Sequence, residues 1–199
     1  MLPTRLLVLA SLPVSLVLFA AGVPAGAQRT SERLKQTAQV IAKGANLPKD
    51  VLDRERTLVA GMVRESGAEI KKAILEKAEG QKDTGNDSAS GQEEEIILAA
   101  WVELRLARHK EVPTDRVLTP QDFLDIIDTM VRLTVITDPA KAKVYLRTKD
   151  NYVGDSAVRH WVVPGKLKIV ITKDDYDMVE EEIDMPKMSF TYKKTLTRK

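Results

Sequence analysis

The sequence predicts an α+β protein, an N-terminal helical domain followed by a small antiparallel β-sandwich. Two observations carry this. Up to about residue 131 the apolar residues recur at spacings of three, four and seven, as on one face of a helix; from Arg132 onward they alternate with polar ones, as on a strand. Across the same boundary the chain acquires closely spaced turn pairs, Asp138-Pro139, Asp150-Asn151, Pro164-Gly165, Asp174-Asp175 and Pro186-Lys187. The domains expected are a leader over residues 1–27, a helical domain over 28–131 with a flexible linker at 80–92, and a sandwich over 132–199.

The leader is read from three features. Arg5 gives a positive start, Leu6 to Val23 is apolar apart from Ser11, Pro13, Ser15 and Gly22, and Ala25-Gly26-Ala27 is a small-x-small cleavage site before Gln28. This is the pattern of a secretory signal peptide, so the expected location is exported, periplasmic or secreted from a bacterial cell. An uncleaved anchor is the competing reading, because the apolar run approaches the length that spans a bilayer. Pro13 and the small residues at its end favour removal, leaving no stable transmembrane segment after cleavage. Cysteine is absent from all 199 residues, so no disulfide, thiolate ligand or lipidated Cys is available.

In the helical domain, Thr30 or Ser31 is expected to cap a helix that stops at Gly44. Pro48 opens a second, over about 49–79, in which Val51, Leu52, Leu58, Val59, Met62 and Val63 share a face with Ile70 and Ile74; Gly67 should bend or divide it. Residues 80–92 hold no apolar side chain larger than alanine and cannot offset the entropy of ordering, hence the linker. Asp83, Asp87 and Glu94 fall at EF-hand positions one, five and twelve, but Ser88 occupies the place of the sharp-turn glycine and Gly85 offers no ligand, so a solvated linker is the better reading. A third helix is expected from Glu93 to about His109, with Ile97, Ala100, Trp101 and Leu104 inward. Thr119-Pro120 caps a fourth, buried through Phe123, Ile126, Ile127 and Met130.

Beyond residue 132, Val144 and Leu146 flank Tyr145, and Leu167 to Thr172 is a β-branched run; six or seven short strands at this spacing argue for an antiparallel sandwich. Pro139 sets a turn, Gly154 supplies a backbone conformation other residues resist, and Pro164-Gly165 turns the chain into its longest strand. A positive φ at Lys141 would fit the turn before Ala142.

The segments Ile136 to Leu146, Tyr152-Val153-Gly154, Val163 to Ile171 and Tyr176 resemble, in order and spacing, the PEGA domain, a family of β-sandwiches of bacterial and archaeal surface and envelope proteins. The likeness covers about residues 133–197. Of the family's four naming letters only Pro139 and Ala142 match, with Ala140 and Lys141 between them, and Asp155-Ser156 stands where Thr-Pro is usual. The resemblance implies an interaction module and brings no catalytic residues with it. The helical part resembles no family.

Charge excludes a strong polyanion binder: residues 28–131 hold 16 basic against 19 acidic side chains and residues 132–199 hold 14 against 10, with acids from Asp174 to Glu182 interrupting the basic strands. No nucleic acid is expected as a partner. His109 and His160 are the only histidines, fall in different domains and have no carboxylate at ligand spacing, so neither a metal nor a cofactor is expected; His109 is read as facing its helix C-terminus and His160 as a surface strand residue. Asp122, Asp125 and Asp128 read as a solvated helix face. No phosphate loop or nucleophile elbow occurs. The candidate binding residues are Trp161, Tyr145, Tyr152, Lys166, Lys168 and His160, aromatics beside cations on the sandwich, joined by Lys141 and Lys143. The competing reading puts Trp161 in the core and uses the lysines to blunt sheet edges.

These features together give the functional expectation. It is a non-enzymatic exported protein, an interaction module contacting cell-wall polysaccharide or another envelope protein, with oligomerisation through the helices a further option. One alternative is a small hydrolase or enzyme-regulating module using Asp122, Asp125, Glu103 and His109. Another is a periplasmic chaperone-like assembly factor, which would expose apolar area between the 49–79 and 93–109 helices.

Overall fold

The computed structural model describes residues 25–65, 68–79 and 89–199. The leader's residues 1–24 and the linker's residues 80–88, with Asp83 and Asp87 of the calcium pattern, lie outside these. Among the described residues no helix is long and apolar enough to cross a membrane.

Five helices precede seven strands: α1 Ala25–Ala45, α2 Lys49–Glu65, α3 Ala68–Glu79, α4 Ala89–Val102 and α5 Pro120–Thr129. Two of the expected starts move. Thr30 is not a cap but lies inside α1, where its hydroxyl donates to Glu94 Oε2 at 2.9 Å. The α4 helix begins at Ala89, within the stretch read as linker. The ten residues from Ile96 in α4 to Arg105 just beyond it are all buried, so this stretch is the axis of the helical domain and has no solvent face to mark it in the sequence. The helix continues from Glu103 to Ala107 as a π-turn. Around it pack the stripes of the other helices: Ala38 and Ile41 of α1, Val59 and Met62 of α2, Ile70 and Ile74 of α3, Phe123, Ile126 and Ile127 of α5. Helices α2 and α3 each pack on α4, and a mainly apolar hollow of about 360 Å³ stays open between α1, α2 and α4, lined by Leu34, Ala60, Val63 and Leu98.

The start of α5 follows the sequence closely. The Thr119 hydroxyl accepts from the Asp122 amide at 3.4 Å, while Asp122 Oδ2 accepts from the Thr119 amide at 2.7 Å; Arg116 clasps both Asp122 oxygens at 2.9 Å. Burial acts to raise the Asp122 pKa, but Arg116 and Thr119 outweigh it and hold it at about 2. Because the folded value lies below the unfolded one, the stability it contributes is present above about pH 4 and is lost as pH falls toward 2. Asp122→Asn should cost about 1 kcal/mol at neutral pH and remove this acid-sensitive contribution, read from urea unfolding at several pH values. At the other end of α5, Lys77 of α3 donates to the Asp128 and Met130 carbonyls.

The strands are β1 Val131–Asp138, β2 Lys143–Leu146, β3 Tyr152–Asp155, β4 Val158–Val162, β5 Gly165–Thr172, β6 Val179–Met185 and β7 Phe190–Thr195. They form two sheets, ordered β4-β1-β7 and β3-β2-β5-β6. Val131, Leu133 and Val135 from the first sheet meet Val144, Leu146, Leu167, Ile169 and Ile171 from the second to make the core. The expected antiparallel sandwich is present, with one parallel pair in it: β7 runs with β1, Leu133 opposite Phe190 through Asp138 opposite Thr195, because the β6–β7 connection leaves one sheet and enters the other. Lys141 sits at φ 62° and Gly154 at φ 143°, where a Cβ would lie 2.7 Å from Val158 Cγ2. On edge strand β6, Glu181 alternates with the outward Glu180 and Glu182 and pairs with Lys194 of β7, a charge that discourages another strand from adding there.

The two domains meet at β4. Trp161 and Val163 belong to the helical core rather than to the sandwich core, so α4 lies directly on the outer side of that sheet.

Candidate functional site

Where α1 and α4 reach the open side of the sandwich they leave a cleft of about 570 Å³ against the edge strands β3 and β4. Its floor is apolar, from Val40 of α1, Leu98, Ala99 and Val102 of α4 and Val153 of β3. Its rim is polar. Gln36, Thr37 and Gln39 line the α1 side, and Asn151, Tyr152 and His160 the sandwich side. The charged groups nearly balance, Arg33, Lys43 and Arg159 against Glu95 and Asp150, and several are held across the cleft or beside it: Lys43 Nζ lies 2.7 Å from Asp150 Oδ1, and Arg33 Nη1 lies 3.2 Å from Glu94 Oε1. Compared with known protein families and with curated proteins, the chain matches none.

The six sequence-predicted binding residues divide. Tyr145, Lys166 and Lys168 stand on one outer sheet face, since Tyr145 pairs with Val170, two and four places from the lysines. The lysines are engaged there: Lys166 with Glu182 at 3.1 Å, Lys168 with Glu180 at 2.5 Å. Tyr152, 51 % exposed, joins that face to the cleft; its ring tilts against Tyr145 at 5.6 Å between centroids and its hydroxyl donates to Asp155 at 2.8 Å. Hydrogen bonding to Asp155 raises the hydroxyl's pKa, so it stays a phenol. Trp161 takes the core position of its two readings. It is 3 % exposed, packed among the helices with Arg132 over its ring at 5.7 Å, and out of reach of a ligand in solvent.

His160 is corrected, from a surface strand residue to one lodged at the joint. Its side chain is 18 % exposed and Nδ1 lies 3.8 Å from Glu95 Oε1. Burial first, and the Arg33 guanidinium second, push its pKa down to about 4. The folded value is thus below the unfolded one, and for a base this means that the unfolded chain takes up the proton first as pH falls. Stability is accordingly full above about pH 6.5 and declines between there and pH 4, by up to about 3 kcal/mol. His160→Gln should flatten this part of the pH–stability curve; a slope unchanged by the substitution would assign it to other groups.

The residues of the hydrolase alternative have other engagements. Asp122 caps α5, Asp125 accepts from Gln121 at 2.7 Å, His109 sits 3.1 Å from the Leu106 carbonyl at its helix end, and Glu103 is buried in an ion pair; none of the four lines the cleft. Among the described residues no group of three or more His, Asp or Glu could hold a metal ion. Glu94 of the calcium pattern is taken by Thr30 and Arg33.

Sequence reasoning missed two buried ion pairs made from opposite sides of the π-turn. Toward α2, Arg105 clasps Glu55, whose carboxylate also accepts from Trp101 Nε1 and the Leu118 amide, both at 2.9 Å; the guanidinium goes on to the Pro113 and Arg116 carbonyls at 3.0 and 2.6 Å. Toward the sandwich, Glu103 accepts from Arg147 at 3.1 and 2.6 Å and from the Val163 amide at 3.2 Å. Both carboxylates are saturated with donors, which fits them to hold structure rather than to accept a substrate proton. A signal for the first was available: Glu55 lies four residues from both Val51 and Val59, on the buried stripe.

Proposed function

We propose that the protein is a non-enzymatic exported envelope protein that holds a stretch of cell-wall polysaccharide in the cleft between its helices and its PEGA-like sandwich. The observation that carries this is the lining of the cleft, an apolar floor with a rim of amides, hydroxyls and an imidazole and nearly balanced charge. A sugar ring has C–H faces that pack on an apolar floor and a circumference of hydroxyls that both donate and accept. Gln36, Gln39 and Asn151 offer both functions, and Tyr152 adds an aromatic surface already fixed by Tyr145 and Asp155. The signal-peptide pattern of residues 1–27 supports delivery to the compartment where such a polymer is found. Tyr145, Lys166 and Lys168 extend the contact onto the adjoining sheet face.

Co-sedimentation of the purified chain from Gln28 onward with insoluble peptidoglycan tests the proposal. Retention at physiological salt is expected, weakened about tenfold by Tyr152→Ala, with the melting temperature unchanged because Tyr152 is half exposed. No retention by the parent chain would overturn the glycan reading. Retention of a single envelope protein in its place would transfer the cleft to a protein ligand.

A further inference from the structure

One wall of the cleft is the hairpin that joins β2 to β3, carrying Asp150, Asn151, Tyr152 and Val153. Its base is residue Arg147, which adopts the left-handed backbone at φ 68°, a conformation seldom taken by a long side chain. From there the guanidinium reaches three ways: to both oxygens of Glu103 in the π-turn, to the Lys166 carbonyl, and to the Val163 carbonyl at 3.4 Å. The Arg147 amide meanwhile donates to the Lys168 carbonyl at 2.9 Å. One side chain thus ties the cleft wall, the β4–β5 turn and the helical domain together. Its partner is equally committed. Glu103 is 2 % exposed, immediately follows the floor residue Val102, and takes a further bond from the Val163 amide.

The wall is held at its tip as well, by Lys43 with Asp150 and by Lys149 with Glu180, but these groups reach solvent and their attraction is screened by water and salt. The Glu103–Arg147 pair is desolvated and forked, so it is directional and insensitive to salt. A π-turn and a left-handed non-glycine residue, brought face to face through one buried ion pair, are local irregularities of the kind found where geometry serves function.

We infer that the Glu103–Arg147 pair is the lock that fixes the width of the cleft, with both residues acting as positioning residues for the wall that bears Tyr152. The inference rests on the cleft reading for its consequence, weaker ligand binding when the lock is broken, but the lock itself is measurable without any ligand. Because the chain has no cysteine, Cys introduced at Gln39 on α1 and at Lys149 on the hairpin can be spin-labelled uniquely and their separation measured by pulsed electron resonance. The parent should give one narrow distance distribution, the same at low and high salt. Arg147→Lys, which keeps the charge and loses the fork, and Glu103→Gln, which keeps the shape and loses the charge, should each broaden it about twofold. Asp150→Ala, which removes only the tip contact with Lys43, should leave it narrow. Distributions that stay narrow in both lock variants would overturn the inference, as would broadening by Asp150→Ala equal to that of Glu103→Gln. If Arg147→Lys does not fold, Glu103→Gln against Asp150→Ala decides. Failure of the parent chain to bind peptidoglycan would remove the ligand and leave these distances standing.

Discussion

Replacing Arg105 by methionine is expected to lower the stability of the protein by about 3–5 kcal/mol, the cost of leaving one partner of a buried ion pair uncompensated. The reason lies in where Glu55 sits. Its side chain is fully buried on α2, and without Arg105 the carboxylate keeps only the Trp101 indole and the Leu118 amide as donors. The loss spreads further, since the Arg116 carbonyl of the connection leading to α5 also loses its donor and the Pro113 carbonyl keeps only the Arg116 amide, at 3.3 Å. Against a total stability of about 5–15 kcal/mol this is a large fraction, and a melting point lower by about 10 °C is the corresponding thermal result. Adding Glu55→Leu should recover part of the loss but not all of it, because the Leu118 amide, the Trp101 indole and the Arg116 carbonyl remain unpaired. Urea unfolding of the two single variants and the double variant gives the coupling energy directly; a single-variant loss below about 1 kcal/mol would mean that the pair is hydrated and the helical core looser than described.

Trp161→Ala is the second large effect, about 3–5 kcal/mol for emptying a site enclosed by helix α4 and strand β4. What distinguishes it is its reach. Trp161 is a strand residue that completes the helical core, so its removal should weaken both domains and their attachment together, whereas Tyr152→Ala should stay within about 0.5 kcal/mol. Both tryptophans, Trp101 and Trp161, are buried in that same core, and the fluorescence of the remaining one reports on it. Melting followed by Trp101 fluorescence and by far-ultraviolet circular dichroism should shift to lower temperature in concert. A sandwich that melts at its parent temperature while the Trp101 signal is lost early would show the joint to be weaker than its packing implies.

These effects mark where the sequence was legible. Elements governed by nearby residues could be read: the Thr119-Pro120 start of α5, the positive φ of Lys141, the turn glycines 154 and 165, and the alternation that puts Lys166 and Lys168 on one side. Features governed by distant residues could not. Glu55 and Arg105 are 50 residues apart and Glu103 and Arg147 are 44 apart, so neither pair leaves a spacing to find. The direction of β7 is set by which sheet its connection crosses to, which local pattern does not encode. Helix α4 begins four residues before the start its sequence predicts, because Ala89 to Gln92 have no apolar periodicity of their own and only extend the helix whose buried stretch follows them. Trp161 carried the same two readings that any aromatic on a strand does, and only packing against α4 decides between them.

The candidate site shows the same division. The sequence marks Tyr152 and His160 as chemistry without a location, whereas on the α1 side of the cleft Gln36, Gln39 and Val40 carry only a helical pattern. A cleft formed between a helix near the start of the described chain and a strand more than one hundred residues later has no signature in either segment.

The most direct test is a nuclear magnetic resonance titration of the isotopically labelled chain from Gln28 onward with soluble peptidoglycan fragments. Saturable shifts are expected, concentrated on the amides of Val40, Ala99, Asn151, Tyr152 and Val153 and on the side-chain amides of Gln36 and Gln39. Shifts confined to the outer face bearing Tyr145, Lys166 and Lys168, or the absence of any saturable shift, would contradict the cleft reading.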